Sequence, residues 1–350
     1  MIFSEITEVL TGTFNISPAL ARSDLKTILA DWEAAGLLRG NSLDASAGDQ
    51  SDSAGLVPST TRLYQPSSAP ENKARFGLRL AGSSFLISMA EKEWESSVRP
   101  LFAHLESSVQ MPDVVMDLVH DGGEYLVVRE GSVMGAAAGL DKIAPVIGQE
   151  LLRTAYLRTN YLIAVHGAVV HDGSRSVILA GPSGAGKTTL TAALIYSGLG
   201  YFTDDVAILE RHSLRVLPVP VGLRLKESSW KVVSEFFPVL EKLPRFVLSD
   251  GSGVRYLPPP TEAIRDTPAR GLPVRSLVFP RYVPGEASAL YPIRKTEALR
   301  RLQGSGYDMS DRLDAARISE LLQWIEGVAC YDMLVNSLPE SVSLIKGLMT

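Results

Sequence analysis

The sequence predicts an α/β fold, because short apolar strands alternate with a helix in its central part. Residues 177–179 form a β-branched run that ends in a glycine-rich loop, and residues 188–196 after the loop have the composition of a helix. A second apolar run, 163–170, is joined to the first by the turn residues 172–174, and a further strand is expected at 201–209. Strands and helices in this order are typical of α/β proteins.

The glycine-rich loop matches a phosphate-binding pattern. Gly181, Gly186, Lys187 and Thr188 satisfy G-x-x-x-x-G-K-[ST] in full. Glycines let backbone N–H groups turn toward phosphate oxygens, the lysine supplies charge near the β- and γ-phosphates, and the threonine hydroxyl completes a Mg²⁺ shell. The pattern therefore predicts a nucleoside triphosphate site. The residues expected to contact the phosphates are Gly181, Pro182, Ser183, Gly184, Ala185, Gly186, Lys187, Thr188 and Thr189.

Two adjacent carboxylates, Asp204 and Asp205, lie on the next expected strand. Neighbouring strand residues point to opposite faces, so the two acids are not expected to share one role unless the strand ends or bulges between them. Phosphoryl transfer needs one acid to hold Mg²⁺ and another to accept the proton of the attacking hydroxyl. The alternative is a solvated acidic pair at a strand end.

A lone histidine, His166, lies in the apolar run that precedes the loop strand. Such a histidine is more often a packed core residue than a catalytic one. Its place beside the loop strand gives the catalytic interpretation equal weight, and both interpretations stay open.

Together, His166-Gly167, the glycine loop, the helix after it and Asp204-Asp205 resemble the core of the HPr serine kinase/phosphorylase family. The similarity is greater to the HPr-kinase-related branch found beside peptide-modification genes, and it is strongest over residues 160–210. It implies a P-loop kinase core with a mixed sheet similar to that of phosphoenolpyruvate carboxykinase. It also implies ATP- and Mg²⁺-dependent phosphorylation of a Ser hydroxyl in a peptide or protein.

The resemblance assigns roles by position. Asp204 is the expected general base, and Asp205 with Thr188 the expected Mg²⁺ ligands. His166 is expected near the transferred phosphate, and Lys187 is expected to neutralise charge there. Some relatives phosphorylate the C-terminal Ser of lasso-peptide precursors, so a precursor of a ribosomal natural product is the expected acceptor, with other peptide-modifying enzymes as expected partners.

The chain departs from the family pattern at three places. Pro182 replaces an acidic loop residue, and Thr188 replaces a serine but keeps its hydroxyl. The signature Glu-Val-Arg-Gly-x-Gly has no counterpart, the nearest stretch being residues 251–257. Reverse phosphorylase activity and HPr as a substrate are therefore not carried over.

The basic residues are concentrated in the second half of the chain. The net charge is −5, but residues from 211 onward carry 19 Lys and Arg against 15 Asp and Glu, which makes this half mildly basic. Arg224 is one candidate there for a phosphate or acidic-peptide contact, and Lys226, Arg255 and Arg281 are the expected clamp. Solvated surface charges are the alternative. No basic run with interleaved aromatics indicates nucleic-acid binding.

Composition divides the chain into four parts. Residues 1–39 are expected to be helical, with a start at Ser17-Pro18, and weakly resemble the helical half of PqqD-like peptide chaperones. A helical appendage used for dimerisation or packing is the alternative. Residues 40–74 have a linker composition, residues 75–142 a small α+β pattern, and residues 143–350 contain the P-loop domain.

The single Cys330 fits a reducing cytoplasm, and no stretch has the pattern of a signal peptide or a membrane span. An ATP-dependent serine kinase is thus the first functional hypothesis. A nucleotide-dependent peptide-binding module and a small-molecule kinase acting on free serine are the alternatives. HPr kinases form hexamers, so the resemblance allows a homo-oligomer, but the sequence does not fix the oligomeric state.

Overall fold

The computed structural model of the 350-residue chain describes residues 74–89, 92–248, 250–305, 307–308 and 315–350, and upstream residues 7, 11, 17–23, 26–27 and 62–64. Residues 18–23 are helical, and the Ser17 hydroxyl accepts the Leu20 amide at 3.2 Å, as an N-cap does. The rest of the expected N-terminal helical segment lies outside the described residues.

A five-stranded sheet with strand order β1-β2-β3-β4-β5 forms the small β-subdomain. The β2–β3 pair is parallel and the other pairs are antiparallel. Residues 62–64, within the expected linker, extend this sheet, because the Tyr64 amide donates to the Gly131 carbonyl at 2.8 Å. The elements are β1 (Ala74–Leu80), β2 (Ser83–Met89), α1 (Lys92–Ser97), α2 (Arg99–Phe102), a 3₁₀ turn (Ala103–Leu105), β3 (Val114–Asp121), β4 (Glu124–Arg129) and β5 (Ser132–Ala137).

The helix α3 (Leu140–Leu157) connects this subdomain to the larger sheet. Its buried face, which includes Ile143, Ile147 and Leu151, packs into the core of the small sheet. The boundary expected between residues 142 and 143 therefore falls inside one helix. Within the described parts of the chain, no helix is long and apolar enough to span a membrane.

The larger sheet is mixed, with order β10-β9-β6-β7-β14-β17-β15. Strand β14 runs parallel to β7 and β17, whereas β6 is antiparallel to β7, β8 and β9. Strand β10 pairs with both β9 and β14, so five strands close into a ring. The strands are β6 (Tyr161–His171), β7 (Ser176–Ala180), β8 (Gly200–Thr203), β9 (Val206–Glu210), β10 (Arg215–Leu217), β14 (Leu272–Tyr282), β15 (Ala289–Pro292), β16 (Tyr307–Asp308) and β17 (Ala329–Val335).

Helices cover both faces of this sheet. All five residues of β7 are buried, and successive side chains point to opposite faces, so each face packs against helices. Val177 and Leu179 pack under α4 (Lys187–Tyr196) and α9 (Leu338–Gly347). Ile178 and Ala180 face the opposite core, with α7 (Lys295–Ser305) and α8 (Ala315–Glu326). Cys330 on β17 is 4% exposed and belongs to that second core. The expected α/β class is confirmed.

A separate three-stranded sheet lies beside α4, in the order β11-β13-β12. Leu223, Leu225 and Leu257 of this sheet pack against Ala192 and Ile195 of α4, which fixes β11 next to the glycine loop. The elements are β11 (Leu223–Lys226), α5 (Glu227–Ser234), a 3₁₀ turn (Pro238–Lys242), β12 (Phe246–Val247), β13 (Gly253–Leu257) and α6 (Thr261–Ile264).

Candidate active site

The glycine loop joins the end of β7 to the start of α4. Gly181, Gly184 and Gly186 have φ values of 155°, 86° and 87°, which residues with a side chain rarely adopt. These glycines let the chain turn back sharply between a fully buried strand and a helix. Among the described residues, no side chain caps α4. Its first amides are therefore available to an anion.

Lys187 folds back over this loop. Its side chain is buried, and its Nζ donates hydrogen bonds to the Gly181 carbonyl at 2.5 Å and the Pro182 carbonyl at 3.0 Å. Burial lowers the pKa of Lys187 to about 8, against the opposing charges of Asp204 and Asp205. The ammonium group is therefore held at the loop by neutral carbonyl acceptors. Charged phosphate oxygens are stronger acceptors and can replace them.

The single strand expected over residues 201–209 is wrong, because it is broken at Asp204 and Asp205 into β8 and β9. The Thr203 hydroxyl accepts the amides of Asp205 and Val206, each at 3.3 Å, and so stabilises the break. Both strands pair with β6. The break removes the alternation that would send the two carboxylates to opposite faces.

Asp204 is 5% exposed and is only partly satisfied. Its Oδ2 accepts the Arg224 amide at 3.3 Å, and its Oδ1 has no hydrogen-bond partner in the described part of the chain. Burial first, and then the charge of Asp205, raise the pKa of Asp204 to about 7, while the Thr188 hydroxyl and Arg224 oppose the shift. Near neutral pH this carboxylate can therefore take up a proton.

Asp205 has the opposite environment. Its Oδ1 lies 3.3 Å from His166 Nδ1 and 3.4 Å from an Arg224 guanidinium nitrogen. Burial would raise the pKa of Asp205, but Arg224, His166 and Lys187 hold it well below its ordinary value. The Asp205 carbonyl also accepts from His166 Nδ1 at 2.9 Å, so Nδ1 carries a proton. Asp205 is thus ionised wherever Asp204 titrates.

Strand β11 contributes two cations to this region. The Arg224 guanidinium donates to Asp205 at 3.4 Å, and its backbone amide donates to Asp204. Lys226 Nζ donates to the Ser183 hydroxyl of the glycine loop at 3.2 Å. Lys226 belongs to the clamp that the sequence predicts. Arg224 is a candidate phosphate contact in the sequence, but it lies outside that predicted clamp. Its signal is the alternation Leu-Arg-Leu-Lys at 223–226, which places Arg224 and Lys226 on one strand face.

The structure brings neither of the other two clamp candidates to the carboxylates. Arg255 on β13 is paired with Leu225, on the opposite strand face from Arg224, and its guanidinium lies 4.1 Å from the Trp230 ring centroid. Arg281 follows Pro280, whose carbonyl adjoins Gly181, but its guanidinium is held by Asp332 at 2.8 Å. Arg281 flanks the loop, while Arg255 packs on an indole.

The donor set fits Mg²⁺. Two carboxylates and the Thr188 hydroxyl are the hard oxygen ligands that Mg²⁺ takes, alongside substrate phosphates and water. The buried, unpartnered Asp204 Oδ1 is an oxygen that a nearby cation would satisfy. Among the described residues, no group of three or more His, Cys, Asp or Glu side chains is arranged to hold a metal.

Comparison with known proteins does not assign this chain to a family. Neither a scan of protein-family models nor a search of curated proteins finds a match.

Proposed function

We propose that the protein is an ATP-dependent kinase with a P-loop kinase core, which transfers the γ-phosphoryl group to a Ser hydroxyl of a peptide or protein. One observation carries the proposal. A buried carboxylate, Asp204, with its pKa raised to about 7, lies beside a half-buried one, Asp205, whose pKa is well below the ordinary value, and the pair adjoins a glycine loop that holds a buried lysine. Phosphoryl transfer requires a proton acceptor and a permanently charged metal ligand in such a place.

In the proposed reaction, the acceptor oxygen attacks the γ-phosphorus and the bond from the γ-phosphorus to the β–γ bridging oxygen breaks, which releases ADP. Asp204 accepts the proton of the attacking hydroxyl. Lys187 and Lys226, both in contact with the glycine loop, offset negative charge on the phosphates. Thr188 and Asp205 would hold Mg²⁺, which when bound neutralises phosphate charge.

His166 and Arg224 act in this proposal by holding Asp205. Their contacts of 3.3 Å and 3.4 Å fix the carboxylate and keep it ionised. The fixed negative charge of Asp205 in turn raises the pKa of Asp204. The two acids are therefore coupled, and each role depends on the other.

The proposed acceptor is a precursor peptide of a ribosomal natural product, of the lasso type, with a C-terminal Ser. This acceptor class is supported by the resemblance of residues 160–210 to the HPr-kinase-related branch. Other peptide-modifying enzymes are the proposed partners of the kinase.

The test is mass spectrometry of acceptors incubated with the protein and Mg-ATP. The panel contains precursor peptides ending in Ser, HPr and free serine, and transfer adds about 80 Da to one of them. Asp204→Asn should lower transfer by about a hundredfold or more and leave Mg-ATP binding intact. Asp266→Asn, at an exposed acid of the connection between α6 and β14, is the matched control.

Each outcome has a distinct meaning. Transfer to free serine alone would replace the peptide acceptor by a small molecule. Tight Mg-ATP binding without transfer to any acceptor would favour a nucleotide-dependent binding module. Full turnover by Asp204→Asn would remove Asp204 as the base.

A further inference from the structure

Residues 218–222 form a short segment that leads from β10 into β11. Strand β8 holds this segment at two points. The Val219 amide donates to the Phe202 carbonyl at 2.8 Å, and the Tyr201 hydroxyl donates to the Val221 carbonyl at 2.7 Å. Because β8 ends at the carboxylate pair, the segment and the carboxylates are fixed to the same strand.

The small β-subdomain supplies a third contact to the segment. His104, in the 3₁₀ turn, donates from Nε2 to the Pro220 carbonyl at 2.7 Å. Burial lowers the pKa of His104, so the ring is neutral, and its buried Nδ1 has no hydrogen-bond partner within the described residues. Val219, fully buried, packs in the same core as Leu105. The carbonyl of Pro220 is thus the polar anchor of this ring.

The segment leads directly into the start of β11, where Arg224 contacts the acids. The Arg224 backbone amide donates to Asp204 at 3.3 Å and the Arg224 guanidinium donates to Asp205 at 3.4 Å, both near the upper limit for hydrogen bonds. A displacement of a few tenths of an ångström would break them. Only one residue, Leu223, separates the segment from Arg224.

We propose that His104 is a positioning residue of the site, which holds the 218–222 segment where Arg224 reaches both carboxylates. Through His104, the small β-subdomain then contributes to the position of Arg224 in the site. This inference rests on the proposed function, since it assigns Arg224 the task of holding the Mg²⁺-side carboxylate.

The experiment compares His104→Leu, which cannot donate, with His104→Gln, whose amide can. The first readout is the factor by which Mg²⁺ tightens ADP binding, measured by calorimetry with and without Mg²⁺, which needs no acceptor. His104→Leu should reduce this factor and the turnover rate about three- to tenfold, the effect of one lost hydrogen bond, and leave ADP affinity without Mg²⁺ unchanged. His104→Gln should restore most of both. His120→Gln, where the ring stacks on Tyr125 at 4.5 Å within the subdomain, is the control.

Tyr201→Phe provides a second variant, because it removes the other side-chain hydrogen bond to the same segment. It should give the same pattern, and it carries the test if His104→Leu does not fold. If both His104→Leu and Tyr201→Phe kept the wild-type Mg²⁺ factor and turnover rate, the inference alone would be overturned. The same conclusion would follow if His104→Leu folded and His104→Gln showed the same losses as His104→Leu. Wild-type protein that does not bind Mg-ADP would overturn the proposed function together with the inference.

Discussion

The two walls of the candidate site are built in different ways. The loop wall is one contiguous segment, from β7 through the glycine loop to α4, and it offers mainly backbone groups and Lys187. The carboxylate wall is assembled from side chains of β6, the break between β8 and β9, and β11. The first wall depends on local backbone conformation, whereas the second depends on the packing of several distant segments.

Under the proposed function, this difference is expected to separate nucleotide binding from phosphoryl transfer. Lys187 holds the loop with contacts of 2.5 Å and 3.0 Å, whereas Arg224 and His166 hold the carboxylates with contacts of 3.3–3.4 Å. Hydrogen bonds near the distance limit are weakened by small displacements. We therefore expect nucleotide binding to tolerate distant substitutions that impair transfer.

A large effect on the turnover rate is expected from the pH dependence of the carboxylate wall. Asp204, with its pKa near 7, must be deprotonated to act as the base, so the rate falls as pH falls. Between pH 7 and pH 5 the turnover rate should decrease about fiftyfold, since the ionised fraction falls from one half to one hundredth. A pH–rate profile checks this, and a rate that is constant over this range would contradict it.

A pair of substitutions separates the two walls. Lys187→Ala removes a charge from the loop wall and should weaken ADP binding about ten- to hundredfold. Arg224→Gln should lower transfer about tenfold and change ADP affinity without Mg²⁺ less than twofold, because the guanidinium that it removes contacts the carboxylate of Asp205. Calorimetry and initial rates measure both quantities. An equal loss of ADP affinity in the two variants would show that the walls do not act separately.

The smallest effect is expected on the KM for ATP when Lys226 or Arg255 is replaced. Lys226→Met removes the contact to Ser183 and should raise the KM for ATP about threefold. Arg255→Met keeps an apolar contact with Trp230, on the other strand face, and should leave the KM unchanged. Steady-state kinetics on matched preparations provide the values. A larger effect from Arg255 than from Lys226 would reverse the assignment of the two strand faces.

The sequence predicts the loop wall better than the carboxylate wall. The glycine loop, its strand and its helix are local, so spacing and residue type are sufficient to locate them. The break at Asp204 and Asp205 depends on hydrogen bonds to the Thr203 hydroxyl and on pairing with β6. The apolar pattern of residues 201–209 does not predict this break. Alternation at 223–226 places Arg224 on the strand face of Lys226, but the register of β11 against β13 is needed to place Arg255 on the other face.

The burial of Cys330 has a practical consequence for measuring motion between the walls. It is the single cysteine of the chain, it is 4% exposed, and burial raises its pKa to about 11. Such a thiol reacts slowly with maleimides, which attack thiolates. A cysteine introduced at an exposed position, such as Ser228 of α5, can therefore be labelled selectively in the otherwise native protein. A fluorophore there would report whether β11 and α5 approach the glycine loop when nucleotide binds.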